Sequence, residues 1–314
     1  MKIRIRFGLL FISILALFSC NDGTNKKHIR TDFPESVEVH THKAFNISGD
    51  DEIKGMLFFN NKFYLENNNK SPIYNVYDEK GKTIGSFGIV GHGNNEFIMP
   101  NLFGGTNDTV FVIDNGSKCV YSIYDSNIIY KKPIKIGQNV NRLKTIRWPY
   151  IGYYYYAQDQ IVWNLYNLNN SKIVESLPFK GETPYLETFV WDSNDTYIVF
   201  AYKYYNKMRI CTTSSKKEIL NELILYSETQ QPQEDHCFYS DIICDNNYFF
   251  VLSQEDIKAD NLSGVSKVLI YDYEGNPLRE LRLDRFYLNM AWDKIKKRLY
   301  FVSIEGDEIT YAQL

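Results

Sequence analysis

The side chains with the widest chemical reach in this chain are few and scattered. His92-Gly93-Asn94-Asn95-Glu96 sets an imidazole, two amides and a carboxylate within five positions, a set that can donate and accept several hydrogen bonds to one ligand. His40 and His42 stand at i and i+2, which on a strand puts both rings on one face and suits two metal ligands. No third ligand is identifiable, so no metal is assigned. His236 follows Glu234 and Asp235; a general base or metal site can be drawn there, and a solvated polar loop explains the same residues. Arg142, Arg147 and Asp241 add two cations and a carboxylate on connections between predicted elements.

Signatures of dedicated catalysis are missing. The chain has no GxSxG elbow, no HExxH and no glycine-rich phosphate loop. A carboxylate pair for glycoside cleavage joins residues distant in sequence, so its spacing cannot be read from one chain. No catalytic residue and no cofactor are assigned.

Cys20 carries a different chemistry. Lys2, Arg4 and Arg6 precede an apolar stretch from Phe7 to Phe18, too short for a membrane span of roughly 20 residues but suited to a signal-peptide core. It ends in Leu17-Phe18-Ser19-Cys20, which resembles the bacterial lipobox, with Phe18 bulkier than the usual small residue. Residues 1–19 therefore read as a lipoprotein signal peptide, with Cys20 as the lipidated residue and 20–35 as a flexible, polar tether. Four further cysteines, Cys119, Cys211, Cys237 and Cys244, enter an oxidising compartment where one or two disulfides are allowed. Cys237 and Cys244 flank one predicted strand, and no CxxC occurs.

The elements that must position these groups repeat. Aromatic-rich bursts begin at Phe63, Val110, Tyr153, Tyr197, Tyr248 and Leu299, at intervals of 47, 43, 44, 51 and 51 residues. That is close to the period of a four-stranded propeller blade. Polar turns such as Asn60-Asn61-Lys62 and Asp245-Asn246-Asn247 precede the bursts, and Asn and Asp there tolerate φ > 0. A strand-turn-strand unit follows, as in Val76-Tyr77-Asp78-Glu79-Lys80-Gly81 and Ile270-Tyr271-Asp272-Tyr273-Glu274-Gly275. Trp148, Trp191 and Trp292 recur at the ends of first strands and read as wedges between blades, with glycan stacking as the other reading.

The last repeat, from Leu288 to Leu314, lacks a fourth strand, while Val37 to Phe45 precedes the first full repeat without a partner. Pairing the two closes the ring. The expectation is an all-β, six-bladed β-propeller of four-stranded antiparallel blades over 36–314, closed by the N-terminal strand on the C-terminal blade. A formal charge of −3 and a pI near 6.0 argue against nucleic acid as a partner.

Gly85-Ser86-Phe87-Gly88-Ile89-Val90-Gly91-His92-Gly93-Asn94-Asn95-Glu96-Phe97 resembles the G-x-x-G-x-G-P-G-E-F segment of TolB-like six-bladed propeller lipoproteins of Bacteroidetes. Gly88, Gly91, Gly93, Glu96 and Phe97 match; Asn94 and Asn95 replace Pro and Gly. The resemblance implies a propeller lipoprotein of the cell envelope and no reaction; with the lipobox, the expected location is the outer membrane, anchored at Cys20. Read from the residues, Glu96 accepts turn amides and Phe97 plugs two blades. The functional reading instead puts His92, Asn94, Asn95, Glu96, Arg142, Arg147, His236 and Asp241 around the channel mouth.

The expected function is a monomeric, non-catalytic binding or protein-interaction module for an envelope protein or a glycan, touching the membrane only through its anchor. The alternative is a polysaccharide lyase or glycoside hydrolase with its site at the same mouth.

Overall fold

The computed structural model describes residues 24–47, 53–67, 70–93, 95–104, 109–134, 141–147, 149–158, 160–180, 188–227, 237–254, 264–303 and 306–314. Three short strands come first: β1 (Thr24–His28), β2 (Ser36–Val39) and β3 (His42–Asn46). Blade 1 follows as β4 (Ile53–Phe59), β5 (Lys62–Asn67), β6 (Tyr74–Asp78) and β7 (Thr83–Phe87). A parallel pair, β8 (Ile89–Val90) and β9 (Glu96–Phe97), leads to blade 2: β10 (Pro100–Phe103), β11 (Thr109–Asp114), β12 (Cys119–Tyr124) and β13 (Asn127–Pro133).

Blade 3 comprises β14 (Asn141–Arg147), β15 (Tyr150–Ala157), β16 (Gln160–Asn167) and β17 (Lys172–Lys180). Blade 4 comprises β18 (Phe189–Ser193), β19 (Tyr197–Tyr202), β20 (Lys207–Thr213) and β21 (Ile219–Tyr226). Blade 5 holds β22 (Tyr239–Cys244), β23 (Tyr248–Ser253), β24 (Lys267–Asp272) and β25 (Pro277–Leu283). Blade 6 holds β26 (Tyr287–Asp293), β27 (Arg298–Ser303) and β28 (Glu308–Gln313), and β3 completes it as the outermost strand, antiparallel to β28. This is the expected six-bladed propeller with the expected closure.

Each aromatic burst is the second strand of a blade, because that strand is covered by sheets on both faces. Six apolar clusters result, one at each joint between neighbouring blades, and together they form the core. Tyr153 and Tyr154 show the alternation: the first packs toward blade 2 and the second toward blade 4. Trp191 meets Trp163 edge to face at 5.6 Å in the joint between blades 3 and 4, and Trp292 lies 4.9 Å from Phe250 between blades 5 and 6. Both are inter-blade wedges; Trp148 lies outside the described residues.

The outer strands share a device that the sequence did not advertise. In every blade the register slips once near the start of the fourth strand, leaving Ile84, Ile129, Val174, Leu220, Leu278 and, in the closing strand, Ala44 as the extra residue of a bulge. Where the fourth strand is the free edge, in blades 1, 2, 3 and 6, the bulge twists it and spoils it as a template for edge-to-edge pairing; in blades 4 and 5 a further strand pairs beyond the bulge.

The N-terminal segment departs from expectation. Val37 to Phe45 is two strands, not one: β2 runs parallel to β25 on blade 5, and β3 closes blade 6. His40 falls between them, so His40 and His42 do not share one strand face. The 20–35 tether is also corrected over its described part, since β1 runs parallel to β21 from Thr24↔Glu222 to His28↔Tyr226. Local propensity misses this because the pairing partner lies nearly two hundred residues away and supplies the free edge. Ile29 and Phe33 then pack against the core of the joint between blades 4 and 5, with the Phe33 ring 5.2 Å from that of Tyr271.

The closing joint is also pinned by polar groups. Asp284 accepts the Thr41 N–H at 3.1 Å and the Thr41 hydroxyl at 2.9 Å, and Thr310 donates to the Tyr287 hydroxyl at 3.1 Å. Burial pushes the Tyr287 phenol above its ordinary pKa. Arg285 and Lys43 both pair with Glu308, at 2.6 and 3.2 Å.

Candidate functional site

The connection from blade 1 to blade 2, residues 88–99, brings together more of the sequence-selected residues than any other described segment. It begins at Gly88, whose φ of +86° turns the chain off β7. β8 and β9 then run side by side, Ile89 opposite Glu96 and Val90 opposite Phe97. The loop between them folds onto the Glu96 side chain: Gly93 donates its N–H to Glu96 Oε2 at 2.7 Å, and Gly91 donates to the Phe97 carbonyl at 3.0 Å. A Cβ on Gly91 would sit 2.0 Å from Glu96 Oε2, so any side chain there would have to displace the carboxylate.

Phe97 is fully buried in the joint between blades 1 and 2, with its ring edge to face with Tyr121 at 4.8 Å. The structural reading of Glu96 and Phe97 therefore holds. The far end of the connection is tied by Asp114, a fully buried carboxylate. Its Oδ1 accepts the N–H groups of Ile98 (3.2 Å), Met99 (2.7 Å) and Gly116 (3.2 Å), and its Oδ2 accepts that of Ser117 (3.2 Å). Sequence reasoning passed over Asp114; the available signal was an acidic residue closing the apolar burst Val110 to Ile113 directly before Asn115-Gly116.

Between these fixed points the connection presents mixed chemistry to solvent. His92 and Asn95 are exposed, and so are Ile89, Val90, Ile98 and Met99. Asn95 sits at φ +65°, a conformation Asn tolerates better than most residues. Such a surface can donate, accept and make apolar contact, which is the chemistry of reversible binding. Asn94 lies outside the described residues.

Of the other selected residues, the structure describes Asp241 and the backbone of Arg142 and Arg147. Asp241, near the start of inner strand β22, has its carboxylate occupied by backbone: Oδ1 accepts the Ile242 N–H and Oδ2 that of Met290 in the next blade, each at 2.9 Å. Arg142 and Arg147 fall at opposite ends of inner strand β14, five residues or roughly 17 Å apart. Their side chains, and all of His236 and Cys20, lie outside the described residues. Among the described residues no group of three or more His, Cys, Asp or Glu is placed to hold a metal ion.

One largely covered acid lies on blade 1. Glu66 of β5 is opposite Gly55 of β4 and has Lys54 Nζ 3.7 Å away. Burial raises its pKa and the lysine offsets this only in part.

No protein-family model matches the chain, and no curated protein matches it. Solved structures do. A member of the DUF4221 family from Bacteroides vulgatus superposes with a TM-score of 0.56 at 15% identity, over 88% of this chain and 96% of that one. A protein from Bacteroides fragilis described as exported gives 0.56 at 10% identity, over 92% and 98%. At such identities the likeness concerns the fold, and it extends the six-bladed ring to near full length in both partners.

Proposed function

We propose that this chain is a lipid-anchored protein of the cell envelope, seated in the outer membrane through Cys20, whose propeller binds an envelope protein or a glycan without catalysis. The observation that carries the binding reading is the connection 88–99. It is fixed from within by Glu96, Phe97 and Asp114 while exposing His92, Asn95, Ile89, Val90 and Met99. A surface held in one shape before contact loses little entropy when a partner docks. The lipobox, the glycine-rich segment of TolB-like propeller lipoproteins and the description of one structurally similar protein as exported support the location.

The test is a screen of glycans and envelope proteins against the soluble domain with Cys20 replaced by Ala, repeated with His92→Ala and Met99→Asp. Saturable binding that weakens about tenfold or more in either variant, with melting unchanged, is expected, since removing one well-placed contact at an interface core costs at least about 1.4 kcal/mol. Binding indifferent to both variants would move the site elsewhere on the ring. Release of oligosaccharide products from a polysaccharide would replace the reading with the lyase or hydrolase alternative.

A further inference from the structure

The N-terminal strand leaves little chain between the domain and its anchor. β1 begins at Thr24, and only Asn21, Asp22 and Gly23 separate it from Cys20. Four Cα steps reach at most ~14 Å. A globule of about 290 residues has a radius of gyration of roughly 19 Å. A leash shorter than the body it holds cannot let that body tumble over a surface.

The domain end of the leash is well fixed. Five residues of β1 are in parallel register with β21, and the Ile29 N–H donates to the Tyr226 carbonyl at 2.8 Å. Further along, the Tyr271 hydroxyl donates to the Arg30 carbonyl at 3.2 Å, and Arg279 pairs with Glu35 at 2.8 Å. Because β1 is parallel to β21, its N-terminal end points back toward the turn 214–218 that opens β21. In the direction that end points, before its first partner Glu222, lie Leu220, bulged out of β21 and 59% exposed, and Lys216, exposed in the turn. An aliphatic side chain and a nearby cation match the two layers of a phospholipid surface, acyl boundary and headgroup.

We infer that the outer edge of blade 4 rests against the phospholipid surface that holds Cys20. Blade 1 lies across the six-membered ring from blade 4, so the connection 88–99 is held on the side away from the membrane. The inference rests on lipidation of Cys20, and it adds a fixed orientation and a lipid contact at Lys216 and Leu220.

The test uses the full lipidated chain in phosphatidylethanolamine–phosphatidylglycerol vesicles with an acceptor dye on the headgroups. A donor dye is placed on Lys216→Cys or on His92→Cys, and labelling of the parent chain is subtracted. Energy transfer several-fold higher from position 216 than from position 92 is expected. An inserted Gly-Ser stretch of about twenty residues after Gly23, with an r.m.s. length of roughly 25 Å, should shrink the difference. Equal transfer from both positions on chains that float with the vesicles would overturn the orientation while leaving the anchor intact. A difference that survives the long leash would overturn the leash as its cause. If the parent chain does not float, or floats equally well as Cys20→Ala, the anchor itself is refuted and the orientation falls with it.

Discussion

The backbone N–H of Met290, on inner strand β26, donates to the Oδ2 of Asp241, on inner strand β22, at 2.9 Å. One joint earlier the Cys244 N–H donates to Asp192 Oδ2 at 2.8 Å, and one joint later Asn289 Nδ2 donates to the Lys54 carbonyl at 3.3 Å. Inner strands of neighbouring blades belong to different sheets, so their facing backbone groups have no ladder to satisfy them. Short polar side chains fill that role from blade 4 round to blade 1.

Replacing Asp241 by Ala should therefore destabilise the ring by about 2 kcal/mol, the cost of losing a hydrogen bond to a charged acceptor and stranding its donor. The urea midpoint should fall at constant m-value, and Asp241→Asn should recover part of the loss. An unchanged midpoint would mean that the apolar joints alone hold the inner strands.

The glycines of the connection 88–99 make a second, coupled prediction. Alanine at Gly91 must evict the Glu96 carboxylate from its place against Gly93, since the new Cβ would lie 2.0 Å from Glu96 Oε2. Gly91→Ala alone should cost about 1–3 kcal/mol, whereas in a Glu96→Ala background it should be close to neutral. Additive losses in the double-mutant cycle would show that the carboxylate does not organise this turn.

Much of the ring was legible because its determinants are local. Tyr77-Asp78 and Tyr271-Asp272 announce a strand end whose carboxylate caps the next turn: Asp78 Oδ1 accepts the N–H groups of Lys80 and Lys82, and Asp272 Oδ1 those of Glu274 and Asn276. Gly81 and Gly275 complete the two turns at φ +80°, each against an apolar side chain of the preceding blade, Phe45 and Leu225. The paired Asn60 and Asn61, at φ +49° and +58°, make the hairpin their residue types suggest. What stayed hidden depends on distant partners. A polar run such as Thr24 to His28 becomes a strand only because β21 offers an edge, and Asp241 looks like a ligand group until Met290 is placed beside it. Site residues are the hardest to read, since residues on different blades meet, or fail to meet, according to which end of a strand they occupy.

Glu66 carries a pH dependence with a definite sign. Its folded pKa is raised by burial, against the opposing pull of Lys54. Folding thus favours its protonated form, and its contribution to stability is full below the unfolded value near 4.5 and lost as pH rises through the folded one. On going from pH 4 to pH 7 the melting temperature of Glu66→Gln should gain on that of the natural chain. The opposite trend would mean that the Lys54 pair outweighs the cost of burial.

The cysteines give the last prediction, because the fold joins none of the four described ones in a disulfide. Cys237 lies two residues before β22 and Cys244 is its last residue, a separation of roughly 20 Å of extended chain, whereas a disulfide needs Cα atoms about 4.4–6.8 Å apart. Cys211 is fully buried, and burial pushes its thiol up to about 12, with the Arg209 cation pulling the other way. At pH 8 only about one Cys211 in ten thousand is then thiolate, the form that reacts. Iodoacetamide should modify the half-buried Cys237 and Cys244 well before Cys211 in the folded domain. In denaturant without reductant, peptide mapping should find all four thiols alkylated. Early modification of Cys211 would place it near solvent, and missing thiols in denaturant would reveal a disulfide that requires a different pairing of strands.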